Sequence, residues 1–250
     1  MPESSHPAPL ANPTPPMRMQ VLAISLTAVA GYVDAAGFLL LSQIYTANMS
    51  GNSVSLGIRI AQHSFDDMGR RALPIGAFFV GLVASSAVHE AAKLRRFRHP
   101  FAIMFAVEFL LLAGFTGAAF PLHPAAGQQP GTFAFCLLAG LAGTAMGVQN
   151  ASLRRAGALT IHTTHVTGLL LQCSDALVIA AVALMRPCTW KARRDAFGNA
   201  ALLFGLWFVY VGGAIAGALL LAPLGPAILA PAMVVLALWL ASDLMEAIPT

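Results

Sequence analysis

Eight apolar segments, most of them close to twenty residues long, constrain this chain more than any other feature of its sequence. A helix needs about 20 apolar residues to cross the roughly 30 Å of hydrocarbon in a bilayer. Only 10% of the residues are charged, against about 25% in soluble domains, so a soluble fold could not cover this apolar surface. We therefore predict an all-α polytopic membrane protein. The segments are 20–42, 46–62, 72–93, 101–121, 132–152, 163–185, 200–222 and 226–244.

Two parts of the chain carry similar polar motifs in the same order. The first has GYVDAAGF followed by TANMSGN, and the second has GVQNASL followed by TTHVTGL. The glycine-to-threonine spacing is 15 residues in one half and 16 in the other. Six ordered matches at nearly equal spacing predict two related halves. The matched pairs are Gly31 and Gly147, Asp34 and Asn150, Ala35 and Ala151, Thr46 and Thr163, Ser50 and Thr167, and Gly51 and Gly168.

The basic residues between the segments distinguish among topologies, because cytoplasmic loops carry an excess of Lys and Arg. If all eight segments cross, these residues divide seven against six; if the second and sixth enter and return, they divide eleven against two. We therefore predict about six transmembrane helices plus two discontinuous or re-entrant half-helices, at 46–62 and 163–185. The charges discriminate less for the second segment alone, so its re-entry depends on the repeat.

Two halves that each contain three crossings and one half-helix have opposite orientations, so we expect two inverted repeats with both termini in the cytoplasm. The segment 163–185 would measure about 33 Å as one helix, and both spanning and re-entry stay open for it. The predicted parts are a disordered Pro-rich tail at 1–17, a first membrane repeat at 18–121, an extracytoplasmic linker at 122–131 and a second repeat at 132–246. No removable signal peptide is expected.

The motif TANMSGN has the residue types of a helix start. Thr, Asn and Ser side chains accept hydrogen bonds from the first amides of a helix, and glycine allows close backbone approach. Non-helical backbone at membrane depth is tolerated only where it is buried in protein or lines a wet cavity. If both motifs begin half-helices, their positive dipole ends would point at a shared site. The alternative is a pair of interfacial loops with ordinary caps.

Asp34 lies well inside the first segment, where a charged side chain costs about 2.5–3.5 kcal/mol on insertion scales. Such a residue faces protein or water and has a partner. Asp34 could relay a proton, contact a ligand, or hydrogen-bond to the neighbouring polar loop. Its counterpart Asn150 cannot titrate, so a proton role would belong to one half. Glu108 and Asp175 also lie in apolar segments, without matching acidic residues in the other half.

The candidate substrate-binding residues are the polar and glycine residues of both halves. They are Asp34, Thr46, Asn48, Ser50, Gly51, Asn150, Thr163, His165, Thr167 and Gly168. The three cysteines have no metal or disulfide spacing. His162 and His165 lie three residues apart, but no third metal ligand accompanies them. Phosphate loops, dinucleotide fingerprints and hydrolase motifs do not occur. We therefore expect no metal, cofactor, nucleic-acid partner or enzymatic activity.

The stretches GYVDAAGFLL…YTANMSGN and HTTHVTG resemble the YoaK family of bacterial integral membrane proteins of unknown function. The resemblance covers nearly all of the chain after the Pro-rich tail. It implies a six-span inner-membrane protein of about this length, and it implies no activity.

The function that the residues favour is that of a small secondary transporter or permease in the bacterial inner membrane. Its site would lie between the two repeats and take a small polar or anionic solute, with Asp34 as the candidate for proton coupling. The alternative is a non-transporting scaffold or subunit whose polar motifs lock helices together. The lipid bilayer is the expected partner in either case, and a homo-oligomer is compatible with both.

Overall fold

The computed structural model describes residues 15–95, 97–122, 131–155, 166–246 and 248, except the side chains of 66 and 153–155. These residues form α-helices and one short 3-10 helix, and they contain no strand. The all-α prediction is confirmed. The helices are α1 Met17–Leu40, α2 Met49–Ala61, α3 Phe65–Arg95, α4 Pro100–Leu122, α5 Thr132–Arg155, α6 Val166–Met185, α7 Trp190–Leu224 and α8 Ala230–Met245, with the 3-10 helix at Gly225–Ala227 between the last two.

Six of these helices are long and apolar enough to cross a membrane: α1, α3, α4, α5, α6 and α7. The expected number of six membrane-spanning helices is therefore confirmed by length and composition. Its membership differs from the sequence interpretation, because α6 has 20 residues, whereas α8 is apolar but has only 16. Length alone does not say which helices carry the chain from one end of the bundle to the other, but helix direction does.

Contacts between residues of neighbouring helices show the helix directions. In a parallel pair the residue numbers rise together, whereas in an antiparallel pair one rises as the other falls. The pairs α1–α7 and α3–α5 are parallel. Their contacts are Ala28 with Gly213, Tyr32 with Gly217, Ala77 with Thr144, and Ser85 with Ser152.

The pairs α1–α8, α4–α8, α3–α4 and α4–α5 are antiparallel. For the last pair, Gly114 lies against Leu141, while Ser85 touches both Met104 and Ser152. The contacts of the other three pairs are Arg18 with Ser242, Ser25 with Trp239, Ala102 with Asp243, Thr116 with Met233, Ser85 with Met104, and His89 with Phe101.

These directions determine which elements carry the chain across the bundle. Because α1, α4 and α7 run one way and α3, α5 and α8 the other, the chain leaves α5 and enters α7 at the same end. The segment that contains α6 therefore makes no net crossing, despite the length of that helix. The segment that contains α2 makes none either, since α1 and α3 are antiparallel. The crossings by direction are α1, α3, α4, α5, α7 and α8, which are the six that the basic residues favoured.

Glycines allow the two parallel pairs to approach closely. A Cβ on Gly213 would overlap the carbonyl oxygen of Ala28, and a Cβ on Gly147 would overlap that of Phe78. Backbone-to-backbone contact of this kind is how membrane helices gain packing where lipid supplies no hydrophobic drive. The main apolar core lies among α1, α4, α5 and α8, and a smaller one joins α6 to α7.

A buried carboxylate ties the start of α4 to the end of α8. Asp243 is fully buried; its Oδ2 accepts a hydrogen bond from the backbone N–H of Ala102 at 2.7 Å, and its Oδ1 accepts one from Ile248 at 2.7 Å. Ala102 lies in the first turn of α4, so Asp243 provides from another helix the acceptor that an N-cap side chain normally supplies.

We expect Asp243→Ala to lower the thermal stability of the protein strongly. The substitution leaves two buried backbone N–H groups without acceptors, and each such group costs about 1–3 kcal/mol. The matched control is Glu246→Ala, three residues away, where an 84% exposed carboxylate forms only a surface pair with Arg18, worth about 0–1 kcal/mol. Melting curves in lipid nanodiscs that place both variants together would contradict this prediction.

Candidate functional site

The chain reverses direction immediately after α1. Ser42 and Gln43 adopt positive φ angles of 57° and 64°, which few non-glycine residues do. The backbone N–H of Gln43 donates to the carbonyl of Phe38 at 2.9 Å and closes the helix end. Three residues after Gln43, the methyl group of Thr46 packs against Gly37. The segment 41–48 therefore turns back along α1 toward its middle.

Asp34 holds this returning segment in place. Its side chain is 4% exposed, and Oδ1 accepts hydrogen bonds from the backbone N–H of Thr46 and of Ala47, both at 2.8 Å, and from Thr46 Oγ1 at 3.2 Å. Its Oδ2 accepts from the Tyr210 hydroxyl on α7 at 2.9 Å. One carboxylate thus joins α1, the returning segment and α7. Of the alternatives left open for Asp34, the hydrogen bond to the polar loop is present.

The helix start expected at TANMSGN is present as well. Asn48 is the N-cap of α2, and its Oδ1 accepts from Gly51 N at 3.3 Å and from Ser50 Oγ at 2.7 Å. Asn52 bonds the returning segment twice, because it accepts from Tyr45 N at 3.1 Å and donates to Tyr45 O at 2.7 Å. These bonds fix the start of α2 against the segment that Asp34 holds.

The helix α2 returns to the end of the bundle where α1 finished. It has 13 residues, or about 20 Å of helix, and it packs against α3. Near the start of α3, Arg71 Nη1 donates to the carbonyl of Gln43 at 2.8 Å, while Arg59 at the end of α2 pairs with Asp67 at 3.5 Å. The chain from 41 to 64 therefore goes inward and comes back, as a re-entrant half-helix does.

A groove of about 300 Å³ lies over the Asp34–Tyr210 bond, between α1, α7 and the returning segment. Its polar groups are one carboxyl and two tyrosines. The rings of Phe38 and Tyr45 contact each other in a tilted arrangement, with 4.7 Å between their centroids. Its walls are small or apolar. The lining residues are Gly31, Asp34, Ala35, Phe38, Leu39, Tyr45, Tyr210, Ala214 and Ala218. An open groove with one carboxyl at its base and aromatic rings beside it can bind a small ligand.

The structure brings the first-half candidates together, since Asp34 bonds Thr46, and Asn48 bonds Ser50 and Gly51. Asn150 is buried on α5, and Thr167 and Gly168 lie in the first turn of α6. Whereas α2 packs against α3, α6 packs against α7. Thr163 and His165 lie outside the described residues. Within the described ranges, no group of three or more His, Cys, Asp or Glu residues could hold a metal ion.

Sequence reasoning missed Tyr210 and Tyr45 as site residues. Tyr210 lies 176 residues from Asp34 along the chain, and no local pattern relates the two. One composition signal could have indicated them: the chain has three tyrosines, and two of the three line the groove. A phenol in an apolar segment needs a hydrogen-bond partner when it is buried, and a carboxylate in another segment is such a partner.

Comparison with known proteins finds a transmembrane relative and a matching family. The chain is 26% identical over 150 residues to UPF0700 transmembrane protein YoaK of Bacillus subtilis (strain 168). This match covers 58% of this chain and 61% of that relative. The matched part thus spans about three fifths of the length of the relative. No solved structure matches. A family described as protein of unknown function (DUF1275) matches residues 22–242. This multi-pass membrane protein therefore belongs to the DUF1275 family.

Proposed function

We propose that the protein is a small secondary transporter or permease whose substrate site is the groove over Asp34 and Tyr210. The observation that carries this proposal is the position of the Asp34 carboxyl, which both lines the groove and holds a re-entrant segment to two crossing helices. Broken or re-entrant helices that surround a buried polar site are the usual construction of transporter binding sites.

The chemistry of the groove favours a small organic cation. Its lining combines one carboxyl with three aromatic rings, those of Phe38, Tyr45 and Tyr210. An ammonium group is attracted both by a carboxylate and by the faces of aromatic rings. Among the described residues of the lining, Asp34 supplies the only carboxyl and no residue supplies a cation, which disfavours an anion. We therefore propose a cationic solute in place of the polar or anionic one expected from the sequence.

The same bonds suggest how binding could move the protein. Oδ1 of Asp34 already accepts three hydrogen bonds, whereas Oδ2 accepts one, from Tyr210. A cation beside Oδ2 competes with the phenol for that oxygen. Losing the Tyr210 bond would loosen α7 from the returning segment, so the ligand would favour a state in which the two separate.

Helix directions and glycine contacts support the inverted repeat. The crossings α1, α3 and α4 run opposite to α5, α7 and α8, which are their counterparts in order. Gly31 on α1 lies against α7, and its sequence match Gly147 on α5 lies against α3. Gly81 on α3 begins the small-residue stretch GLVAS, and Gly213 on α7 begins the similar stretch GAIAG. Gly81 lies against Gly147 on α5, and Gly213 lies against Ala28 on α1. A repeat of this kind would place a second polar site near Asn150.

The distribution of basic residues supports a bacterial inner-membrane orientation with both termini in the cytoplasm. Arg18 at the start of α1 bonds Ser242 near the end of α8, so these helix ends lie together. Since α3 is antiparallel to α1, Lys93 and Arg95 in its last turn lie at the same end. An excess of Lys and Arg is typical of the cytoplasmic side.

A homo-oligomer remains part of the proposal because of one exposed charge. Asp175 lies near the middle of α6 and is exposed, between the exposed apolar side chains of Leu171 and Val178. A carboxylate that faces lipid at this position is costly. Contact with a second copy of the chain would remove it from the hydrocarbon.

Tetramethylammonium is a suitable probe, and pivalate is its anionic counterpart of similar shape. We expect tetramethylammonium to raise the melting temperature of the purified protein in nanodiscs, since a ligand that binds only the folded state stabilises it by about 2.7 kcal/mol at 100 times its dissociation constant. Pivalate should not. Uptake of labelled tetramethylammonium into proteoliposomes then tests transport itself.

The variant Ala218→Trp tests whether the groove is the binding site, because Ala218 lines its open side. We expect this variant to lose the tetramethylammonium effect. The matched control is Leu219→Trp, at the adjacent and 71% exposed position outside the lining, which should keep it. If neither ion changes the melting temperature, the non-transporting scaffold is favoured, in which the bonds of Asp34 serve only to lock helices together.

A further inference from the structure

Glu108 is buried in the main core, away from the groove. It is 1% exposed and lies on the inward face of α4, one turn from the core residues Phe105 and Leu112. Its Oε1 atom has no hydrogen-bond partner among the described residues. A buried unpartnered carboxyl oxygen is rare enough to require an explanation.

Gln149 on the neighbouring helix α5 also lacks hydrogen-bond partners in the described part of the chain. It is 0% exposed, and neither its Oε1 nor its Nε2 has a partner within the described ranges. Its neighbours one turn earlier, Ala145 and Met146, belong to the same core as Phe105 and Leu112. A side-chain amide presents an acceptor oxygen and a donor NH₂ group, which are the two groups that a protonated carboxyl needs for a pair of hydrogen bonds.

The packing of α4 against α5 brings these side chains to the same depth. Gly114 lies against Leu141, and Ser85 touches both Met104 and Ser152. In this antiparallel register Glu108 lies at the depth of residue 147. Gln149 is then displaced by two residues, or about 3 Å along the helix axis, which is within reach of two long side chains.

No cation compensates Glu108 among the described side chains. None of their ion pairs includes it. On α3 the facing titratable group is His89, which lies against Phe101 near the start of α4; on α8 it is Asp243, which bonds Ala102 there. No titratable side chain in the described part of α5 faces α4. An uncompensated carboxylate in such a core is far costlier than a neutral acid.

A proton satisfies this site better than a metal ion does. Calcium takes six to eight oxygen ligands and magnesium six. Here the side chains offer one carboxyl and one amide oxygen, and the carbonyls around them belong to continuous helices α4 and α5. A proton needs a single oxygen and one acceptor nearby.

We propose that Glu108 and Gln149 form an intramembrane proton-binding site, separate from the groove. Neither hydrogen bond between the two side chains is formed in the structure, where Glu108 Oε1 and both polar atoms of Gln149 have no partner among the described residues. In the protonated pair, a change of side-chain rotamer lets the carboxyl O–H donate to Gln149 Oε1 and Gln149 Nε2 donate to the other carboxyl oxygen. Release of the proton leaves a charge in an apolar core, so it requires water to enter between α4 and α5. Proton exchange at this site is thereby coupled to separation of the two helices. This proposal does not depend on the proposed transport function.

Infrared spectroscopy with carboxyl-labelled [13C]glutamate tests the site in the unmodified protein. The label restricts the carboxyl signal to the four glutamates of the chain. We expect a protonated glutamic-acid band at neutral pH that disappears in Glu108→Gln. It should persist in Glu90→Gln, which changes an exposed glutamate, and in Asp34→Asn. Absence of the band from the wild type, or its persistence in Glu108→Gln, would overturn the proposal.

Two further measurements distinguish a working site from an inert acid and do not need the Glu108 variant to fold. In Gln149→Leu the band should move to higher frequency, since the carboxyl loses its hydrogen-bond partner. In D₂O the wild-type band should shift as the proton exchanges through openings of the helix pair. A band unchanged in Gln149→Leu, or unshifted after prolonged exposure to D₂O, would refute proton binding by this pair.

Discussion

The substitution Gly213→Ala is expected to force α1 and α7 apart and to lower the stability of the protein. A Cβ at this position would overlap the carbonyl group of Ala28. Because the obstacle is backbone in a continuous helix and not the end of a flexible side chain, the helices themselves must shift. Overpacking of this kind typically costs about 1–3 kcal/mol, and a clash with backbone should lie at the upper end of that range.

The adjacent Gly212→Ala provides the control. A Cβ at Gly212 would meet nothing within 4 Å, so this change should be neutral or stabilising, since alanine favours a helix over glycine by about 0.5–1 kcal/mol in water. The measurement is thermal melting of both variants in nanodiscs. Equal melting temperatures would show that α1 and α7 are not in backbone contact. Gly213→Ala should also weaken tetramethylammonium binding, because it displaces Tyr210 from Asp34.

The substitution Asp34→Ala should have the second large effect. It leaves the backbone N–H groups of Thr46 and Ala47 and the hydroxyl of Tyr210 without their acceptor. Each buried unsatisfied donor costs about 1–3 kcal/mol, so the total should reach several kcal/mol. Amide hydrogen exchange at Thr46 and Ala47 should accelerate, because the returning segment is released from α1.

Two milder variants separate the structural role of Asp34 from its charge. Tyr210→Phe removes a single bond and should cost less than Asp34→Ala. Asp34→Asn keeps an oxygen for Thr46 and Ala47, so it should fold but lose both the tetramethylammonium effect and any proton-coupled uptake. Wild-type melting of Asp34→Ala would contradict the anchoring role, and wild-type coupling in Asp34→Asn would remove Asp34 from the transport mechanism.

The parts of the site that are close in sequence could be predicted, and the parts that are distant could not. Asn48 caps α2 as its residue type suggested, and Asp34 bonds a loop only 12 and 13 residues away. Short connections leave few possible neighbours, so residue type nearly decides the contact. Tyr210 reaches the same carboxyl from α7, and its approach depends on which helices pack together.

The two half-helix segments show the same limit. For α6, length and apolarity indicate a span, while the directions of α5 and α7 show that its segment makes no net crossing. The count of basic residues favoured the absence of a net crossing, because it uses the charges of every loop in the chain and does not depend on one segment alone.

By itself the sequence determined that this chain is a bundle of membrane helices with six net crossings and a polar helix start at residue 48. Those properties follow from hydrocarbon thickness, loop charge and local hydrogen bonding, which act on neighbouring residues. Only the tertiary structure decided that Tyr210 completes the bonds of Asp34 and that Glu108 and Gln149 are both buried with atoms unpartnered among the described residues. Apolar helices are nearly interchangeable as partners in lipid, so the choice among them depends on close glycine contacts that no single segment reveals.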